Sequence, residues 1–309
     1  MNILVTGGAG FIGSHLVDSL IDLGHKVVII DNLSTGLEKN INSKARFYQL
    51  DIQDKGLEDI FGKFNFDTVF HTSAQINVRK SVDDPIADAQ ANILGSLNLF
   101  ENCRKYKIKK IVFSSTGGAL YGDADNLPTP ETYPAKPISP YGIAKLTIEN
   151  YLHYYHTIHD LNYTVLRYAN VYGPRQNSLA EAGVVSIFIT KILNNEQPII
   201  NGDGLQTRDY VFVKDVVKAN LAALENKETS TFNIATSIET NVNQIFQHIC
   251  DNFSDKNINE EHGPANAGEQ KTSCLDISKA NQELNWQPQI KLSQGIKLTV
   301  DWFKQNYAR

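Results

Sequence analysis

Short apolar runs alternate along the first half of the chain with longer stretches in which apolar residues recur at helical spacing. The first run, residues 3–5, is followed by a stretch in which Val17, Leu20 and Ile21 share one helical face. The pattern predicts strands at 3–6, 27–31, 46–49, 68–71, 110–114 and 163–167, with helices between them that include 87–103 and 139–159. Such an alternation is typical of a parallel sheet with helices on both faces, so the sequence predicts a doubly wound α/β fold.

The alternation of apolar runs and helical stretches becomes less regular after Asn170. It predicts a helix at 185–194, a strand at 208–215, a helix at 215–224, a strand at 231–234 and a last helical stretch at 298–303. We therefore expect a first domain at residues 1–172, to which residues 208–236 return. Residues 173–207 and 237–309 would form a smaller, discontinuous lobe over the carboxyl ends of the strands, where open α/β sheets bind their ligands.

Three glycines, Gly7, Gly10 and Gly13, lie between the first predicted strand and the first predicted helix. In this context the first glycine permits a tight turn, the second lets the backbone approach a pyrophosphate, and the third lets the helix pack against the strand. The N-terminus of the helix then faces the anion. Because no Gly-Lys-Ser/Thr follows, the turn is not a P-loop, and the pattern predicts a dinucleotide site.

The second predicted strand ends in Asp31, where a carboxylate can accept both hydroxyls of an adenosine ribose. The same carboxylate would repel a 2′-phosphate, and Asn32 follows it where a basic residue would be expected for NADP. The sequence therefore favours NAD as the cofactor.

Composition and charge narrow the classes of function. The chain has 309 residues and a formal net charge of −5, which disfavours a nucleic acid or an anionic membrane as partner. We expect no membrane span and no targeting peptide. The chain has three cysteines, Cys103, Cys250 and Cys274. No two of them form a C-x-x-C pair, and any disulfide between two of them would leave the third unpaired. This pattern indicates a reducing, cytoplasmic compartment.

The predicted helix 139–159 carries a candidate catalytic pair. Tyr141 and Lys145 are four residues apart and therefore share one helical face. An ammonium favours a neighbouring phenolate and lowers the phenol pKa from about 10, which makes Tyr141 a candidate general base. The pattern is common on amphipathic helices, and its position downstream of a dinucleotide turn is what favours a catalytic role. Three histidines between residues 153 and 159 cannot converge on one ion, so no metal site is predicted.

Hydroxyl side chains follow the predicted strand 110–114. Ser114, Ser115 and Thr116 would emerge at the carboxyl edge of the sheet, where a hydroxyl can hydrogen-bond a reacting oxygen and share its proton with Tyr141. We expect Thr116 to be the catalytic hydroxyl, with Ser115 as the alternative.

Taken together, these motifs resemble those of the extended short-chain dehydrogenases/reductases, and specifically the nucleotide-sugar epimerases of the UDP-glucose 4-epimerase type. The resemblance covers nearly the whole chain. Its segments are residues 6–13, 31–36, 51–52, 71–75, 114–116, 141–145, 166–175, 202–204, 208–211 and 268–269, followed by Asp276. It implies a Rossmann-type sheet, NAD as cofactor, a UDP-sugar as substrate and a homodimer assembled through a four-helix bundle.

The resemblance implies cofactor contacts along the strand ends. Asp31, Asn32 and Ser34 would meet the adenosine ribose and a nearby phosphate, and Lys145 the nicotinamide ribose. The expected NAD contacts are Gly7, Gly10, Phe11, Ile12, Gly13, Asp31, Asn32, Ser34, Gly36, Asp51, Ile52, Thr72, Ser73, Ala74, Asn92, Ser114, Tyr141, Lys145, Tyr168 and Val171.

The resemblance also implies a nucleotide-sugar site and a mechanism. Tyr141 would remove the proton of the sugar 4-hydroxyl while a hydride passes to NAD. The 4-keto sugar would then rotate and take the hydride back on its opposite face. The expected substrate contacts are Gln75, Thr116, Tyr141, Asn170, Val184, Val185, Asn201, Arg208, Tyr210, Glu269 and Ser273.

Departures from the family pattern bear on the substrate. Asn266 stands where many relatives carry an arginine, which puts one diphosphate contact in question. Ser273 is small at a position that acts in the family as a gate beside the sugar, so UDP-N-acetylglucosamine and UDP-N-acetylgalactosamine join UDP-glucose and UDP-galactose as candidates.

Several other reactions and roles remain as alternatives. UDP-glucuronate 4-epimerisation and other nucleotide-sugar reactions are possible on the same fold. A 4,6-dehydratase needs an acid pair where this chain has Gly117 and Gly118, which disfavours dehydration. A noncatalytic NAD-binding protein is disfavoured because the tyrosine, the lysine and the threonine are all present.

Overall fold

The computed structural model describes residues 1–178, 183–253, 258–265 and 270–306. The strands are β1 (Asn2–Thr6), β2 (Lys26–Asp31), β3 (Arg46–Gln49), β4 (Thr68–His71), β5 (Lys110–Thr116), β6 (Asn162–Tyr168), β7 (Asn170–Tyr172), β8 (Ile200–Asn201), β9 (Thr207–Phe212), β10 (Ser230–Ile234), β11 (Glu239–Asn241) and β12 (His262–Gly263). The α-helices are α1 (Phe11–Asp22), α2 (Leu57–Lys63), α3 (Val78–Asp83), α4 (Pro85–Ala89), α5 (Gly95–Lys105), α6 (Pro140–His159), α7 (Val184–Leu193), α8 (Val213–Glu225), α9 (Val242–Cys250), α10 (Ser278–Leu284) and α11 (Leu292–Asn306). A 3₁₀ helix spans Glu38–Asn40, and a π-helix spans Gln90–Leu94.

The central sheet has seven strands in the order β10-β6-β5-β4-β1-β2-β3, and all of its neighbours are parallel. The chain builds outward from β1 to β3 and then returns to β4 on the other side of β1. Strand order therefore reverses between β1 and β4, and this is the position at which doubly wound sheets bind their ligands. The predicted doubly wound α/β fold is confirmed.

Helices cover both faces of the sheet and bury separate apolar clusters. On one face, Leu20 of α1 and Val216 of α8 pack with sheet residues that include Phe232. On the other face, Phe100 of α5 and Leu152 of α6 belong to the second cluster. Each such side chain stabilises the folded state by roughly 1.5–3 kcal/mol when it is fully buried. The two clusters therefore hold helices against both faces of the sheet.

The C-terminal part has small sheets and an apolar cluster of its own. A three-stranded sheet has the order β11-β9-β7, and a two-stranded sheet joins β12 to β8. The third apolar cluster draws mainly on residues of α7, α9 and α11. The boundaries predicted for the first domain and for the lobe stay a prediction.

Several predicted elements differ from those observed. The last helical stretch, expected at 298–303, is part of α11, which begins at Leu292. The helix expected at 87–103 consists of α4, the π-helix and α5, and it begins at Pro85 because Asp84 caps it by accepting the Ala87 N–H at 2.9 Å. The strand expected at 208–215 ends at Phe212 and pairs with β7 and β11. Asp215 instead lies in the first turn of α8, where its carboxylate accepts backbone N–H bonds from the segment at 289–290.

A buried ion pair joins α6 to the sheet. Arg167 Nη2 of β6 lies 2.6 Å from Glu149 Oε2 of α6, and the Ser115 hydroxyl of β5 donates to Glu149 Oε1 at 2.5 Å. Arg167 Nη1 also donates to the Tyr121 hydroxyl at 2.8 Å, which donates to Asn233 Oδ1 of β10 at 2.9 Å. One polar network therefore fixes α6 against the ends of three strands.

None of the helices in the described ranges has both the length and the apolar character that crossing a membrane requires.

Replacing Glu149 by Gln should lower the free energy of unfolding by about 3 kcal/mol, because the guanidinium of Arg167 would stay buried without its counter-charge. Urea denaturation followed by circular dichroism measures the change. The matched control is Glu58→Gln, which removes an exposed ion pair with Lys105 and should cost about 1 kcal/mol or less. Equal losses in the two variants would contradict the structural role given to the buried pair.

Candidate active site

A cleft of about 370 Å³ lies at the carboxyl ends of β1 to β4, where the strand order reverses. Of the expected cofactor residues, its wall includes Gly7, Gly10, Phe11, Ile12, Gly13, Asp31, Asn32, Ser34, Asp51, Ile52, Thr72, Ser73 and Ala74. Gln75, expected at the substrate, also lines it, as do Ile30, Thr35, Leu50, Ile76, Asn77, Lys80 and Ala91, which sequence reasoning missed. The missed residues are mostly neighbours in sequence of the predicted ones, and Lys80 and Ala91 carry no motif that would have identified them.

The remaining expected cofactor residues do not line this cleft, although the structure describes all of them. They are Gly36, Asn92, Ser114, Tyr141, Lys145, Tyr168 and Val171. Most of them belong to the polar contacts around β5, α6 and the loop after β4.

The glycine turn has the geometry that a pyrophosphate requires. Gly7 has φ +73°, and its N–H donates to the Ile30 carbonyl at 2.7 Å. A Cβ on Gly13 would lie 2.1 Å from the Gly7 carbonyl oxygen, so only glycine lets α1 start this close to β1. No side chain caps the N-terminus of α1, and its first N–H groups therefore remain suited to an anion.

Asp31 is buried and held by backbone donors. Its Oδ2 accepts the Ala9 N–H at 3.0 Å and its Oδ1 accepts the Leu33 N–H at 2.8 Å. Burial raises the pKa of Asp31, and the two backbone hydrogen bonds oppose that rise. Each carboxylate oxygen keeps a lone pair for a ribose hydroxyl. A Cβ on Gly36 would lie 2.8 Å from Asp31 Oδ1, which explains a glycine at that position.

A buried histidine supports the cleft wall between β1 and β4. The Ser73 hydroxyl donates to Thr6 Oγ1 at 3.0 Å, Thr6 Oγ1 lies 2.9 Å from His71 Nδ1, and His71 Nε2 lies 2.9 Å from Ser96 Oγ. Burial, together with the nearby ammonium of Lys145, lowers the pKa of His71 to about 3. His71 is therefore neutral near pH 7 and acts as a structural link.

The helix α6 presents the Tyr141–Lys145 pair at its N-terminal end. Ser139 caps the helix by accepting the Gly142 N–H at 3.2 Å, and the Tyr141 N–H donates to Ser81 Oγ at 3.2 Å. Lys145 Nζ donates to the Ser114 carbonyl at 2.8 Å and lies 5.9 Å from the centroid of the Tyr141 ring. Burial lowers the pKa of Lys145 to about 8.

The expected lowering of the Tyr141 pKa is wrong. Burial raises the pKa of Tyr141, and the carboxylate of Asp88 raises it further. Taking a phenolate out of water costs more free energy than the ammonium of Lys145 returns at this distance. Sequence reasoning missed Asp88, because its proximity to the pair depends on the packing of α4 against α6.

The two candidate catalytic hydroxyls, Ser115 and Thr116, make different contacts. Ser115 donates its hydroxyl hydrogen to Glu149, as described above. Thr116 Oγ1 accepts the Ala119 N–H at 3.2 Å, which leaves its own hydrogen available. Adjacent strand residues point to opposite faces of a sheet, so the two hydroxyls cannot serve the same site. Ser114 Oγ lies 3.1 Å from the Tyr168 hydroxyl, and this contact joins β5 to β6.

The expected substrate residues of the lobe differ in their position on the strands and in their exposure. Asn170 pairs with Tyr210 across β7 and β9, and Arg208 lies two residues earlier on β9. Val184, Asn201 and Arg208 keep part of their surface exposed, whereas Val185, Tyr210 and Ser273 are buried. Glu269 and Asn266 lie outside the described residues.

No group of three or more metal-ligating side chains occurs within the described ranges.

Residues 3–235 match the profile of the NAD dependent epimerase/dehydratase family. The chain belongs to this family. The resemblance seen in the sequence is thereby confirmed, and so is the use of NAD that it implied.

Individual members of the epimerase/dehydratase family are similar over the full length. A putative UDP-glucose 4-epimerase of Methanocaldococcus jannaschii is 49% identical over 304 residues, which cover 98% of this chain and 99% of that protein. The crystal structure of UDP-glucose 4-epimerase with UDP-glucose from Thermotoga maritima has a TM-score of 0.97 at 49% identity and covers 100% of both chains. The Thermus thermophilus UDP-glucose 4-epimerase complex with NAD has a TM-score of 0.94 at 38% identity, covering 99% of this chain and 100% of that one.

Replacing Gly36 by Ala should weaken NAD binding about tenfold with little loss of stability. The added Cβ would meet Asp31 Oδ1 at 2.8 Å and turn the carboxylate away from a ribose. Isothermal titration with NAD measures the affinity. In the control, Gly56→Ala, the nearest atom to the new Cβ lies at 3.6 Å, so NAD affinity should not change. An unchanged NAD affinity in Gly36→Ala would show that Asp31 does not contribute to NAD binding.

Proposed function

We propose that this protein inverts C4 of a UDP-hexose, interconverting UDP-glucose and UDP-galactose through a transient 4-keto sugar. The observation that carries the proposal is a Tyr141–Lys145 pair with Thr116 at the carboxyl edge of a sheet that holds a dinucleotide cleft. The full-length similarity to UDP-glucose 4-epimerases supports this choice among the reactions of the family.

The cleft fits NAD by its shape and by its charge. The Gly7–Gly13 turn would hold the pyrophosphate against the N-terminus of α1, and Asp31 would accept the adenosine ribose hydroxyls. Asn32 donates to Asp51 Oδ2 at 2.6 Å, so the residues expected at the ribose and at the adenine hold each other in place. When bound, NAD accepts a hydride from C4 of the sugar and returns it.

The chain's own residues would manage the proton of the 4-hydroxyl. Tyr141, in its phenolate form, would take that proton at its oxygen and later give it back as a phenol, and the ammonium of Lys145 beside the ring favours the phenolate. The Thr116 hydroxyl is free to donate to the same sugar oxygen and to orient it. Because each proton step is reversed in the second half of the reaction, no other acid or base is required.

The lobe would anchor the nucleotide while the sugar turns. We propose that Arg208, Asn170 and Tyr210, which adjoin on β7 and β9, hold the nucleotide diphosphate, together with Glu269. The guanidinium of Arg208 would bond the phosphate oxygens. Ser273 is 6% exposed and small, and this favours UDP-N-acetylglucosamine/UDP-N-acetylgalactosamine as a second substrate pair. UDP-glucuronate/UDP-galacturonate is the remaining alternative.

The first experiment is to incubate the purified protein, without added NAD, with UDP-galactose, UDP-N-acetylgalactosamine and UDP-galacturonate in separate reactions. Anion-exchange chromatography then separates the 4-epimers. We expect UDP-glucose from the first reaction. Epimers from none of the three, even after NAD is added, would overturn the proposed function.

Tyr141→Phe should lower the rate of epimerisation at least 100-fold, because a phenyl ring cannot take or return the proton. The control is Tyr163→Phe, which removes a phenol hydroxyl from β6 outside the site and should keep the wild-type rate. NAD content measured on the same preparations separates loss of chemistry from loss of cofactor. A Tyr141→Phe variant with the wild-type rate would exclude this tyrosine as the base.

We also propose a homodimer, with α6 at its centre. The exposed apolar side chains Val82, Ile86, Leu94, Ile143 and Ile158 lie on α3, α4, the π-helix and α6, which pack against one another. An exposed apolar surface of this kind is typical of a protein interface. The occupant would be a second copy of the chain, whose α6 and α5 would complete a four-helix bundle.

Ile158→Glu should convert the dimer to a monomer, because two carboxylates would be buried in the same interface. Sedimentation equilibrium measures the mass. Ile238→Glu introduces the same charge at an equally exposed isoleucine outside α6 and should leave the dimer intact. A wild-type protein that sediments as a monomer would contradict the dimer.

We further propose that the protein resides in the cytoplasm. Cys103, Cys250 and Cys274 are all free thiols, and Cys103 and Cys274 are buried. Free thiols are typical of a reducing compartment.

A further inference from the structure

Asp88 is a buried carboxylate with no role in the mechanism described above. It lies on α4 and is 2% exposed. Its Oδ1 accepts hydrogen bonds from Gln75 Nε2 at 2.8 Å and from Asn92 Nδ2 at 3.0 Å. A buried carboxylate is costly unless it is hydrogen-bonded or paired, so the groups around Asp88 indicate what it does.

The two amides that Asp88 holds are themselves fixed to the loop after β4. Asn92 Oδ1 accepts the Gln75 N–H at 2.9 Å, and Asn92 Nδ2 donates to the Gln75 carbonyl at 2.9 Å. Gln75 Nε2 donates to the Asn77 carbonyl at 3.0 Å, and Gln75 Oε1 accepts the Asn77 N–H at 2.6 Å. Because Gln75 and Asn77 line the cleft, the carboxylate of Asp88 fixes one wall of the cofactor site.

The π-helix is part of the same arrangement. Asn92 lies in the π-helix, whose wider turn separates α4 from α5. Single π turns inside helices occur mostly at functional sites, where they redirect a side chain. Here the π turn lets Asn92 reach both the carboxylate of Asp88 and the backbone of Gln75.

Asp88 also interacts electrostatically with the catalytic pair. The helices α3 and α4 pack against α6, and the Tyr141 N–H donates to Ser81 of α3. Burial lowers the pKa of Lys145, whereas the carboxylates of Glu149 and Asp88 raise it. Burial raises the pKa of Tyr141, and Asp88 adds to that rise.

Other titratable groups on the elements near this position lie on β4, α3 and α6. From β4, the neutral imidazole of His71 lies near Lys145. From α3, Lys80 lies on the cleft wall, and from α6, Glu149 is paired with Arg167. Burial raises the pKa of Asp88, while the amides of Gln75 and Asn92 and the ammonium of Lys145 oppose that rise.

We propose that Asp88 is a positioning residue, which fixes the Gln75–Asn92 wall of the cofactor cleft and places a negative charge near the Tyr141–Lys145 pair. The inference rests on the proposed function, because this pair governs proton transfer only if C4 epimerisation takes place. The same carboxylate would therefore affect both the shape of the cofactor cleft and the electrostatics of the Tyr141–Lys145 pair.

The test is Asp88→Asn, which keeps an oxygen acceptor of the same shape and removes the charge. Loss of a negative charge lowers the pKa of Tyr141 and the pKa of Lys145 together. The whole pH–activity profile should therefore move to lower pH, by roughly one unit. The control is Asp83→Asn, which removes an equal charge from an exposed position on α3 and should keep the wild-type profile.

Asp88→Glu is the conservative variant. It keeps the charge on a longer side chain, so its pH profile should stay at the wild-type position even where the rate falls. A purely structural role predicts the opposite: lower rates in both variants, without movement of either profile. An unmoved profile in Asp88→Asn would overturn the role of Asp88 in setting the charge of the pair.

NAD affinity, measured by isothermal titration, is independent of epimerisation. Asp88→Ala removes the acceptor of both amides and should weaken NAD binding about tenfold, whereas Asp83→Ala should not change it. Unchanged NAD binding in Asp88→Ala would overturn the role of Asp88 in the cleft wall. A wild-type protein that binds NAD but epimerises no UDP-sugar would instead count against the proposed function.

Discussion

The ion pair between Glu149 and Arg167 is the interaction on which the geometry of the candidate site depends. It is buried, and the bonds that extend from it reach β5 through Ser115 and β10 through Tyr121. A buried ion pair recovers little net free energy after its desolvation, but it accepts only one arrangement of its partners. The pair therefore fixes where α6 lies along the sheet. Lys145 lies one turn before Glu149 on α6 and keeps the same register, as its bond to the Ser114 carbonyl shows.

Much of the fold could be predicted from the sequence because its strands are short, buried and separated by helices. The bounds predicted for the runs at 46–49 and 68–71 agree with those of β3 and β4, and the polar residues Asp67 and Thr72 flank the second run. The region 87–103 was predicted as one helix, because a π turn leaves the apolar spacing almost unchanged and has no residue signature. The start of α8 was misplaced because Asp215 resembles a strand end in the sequence, and its backbone partners lie more than seventy residues later.

The cofactor side of the site was more predictable than the substrate side for a physical reason. The turn from Gly7 to Gly13 and the carboxylate of Asp31 act through local backbone geometry, and short motifs record such geometry. The neighbourhood of Asn170 and Tyr210 exists only because β7 pairs with β9 across a long stretch of chain. Asp88 was missed because its proximity to the Tyr141–Lys145 pair depends on the packing of α4 against α6.

The electrostatics of the pair suit a reaction that must run in both directions. Burial disfavours the charged form of both groups, so it raises the pKa of Tyr141 and lowers that of Lys145. A phenol with a low pKa returns a proton readily, but its phenolate is a weak base toward the 4-hydroxyl. A phenol with a high pKa has a strongly basic phenolate, but little of it is ionised near neutral pH unless a positive charge lies nearby. Inversion at C4 requires both steps from the same residue, so the ammonium of Lys145 beside the Tyr141 ring is what offsets the effect of burial and lets one phenol serve in both directions.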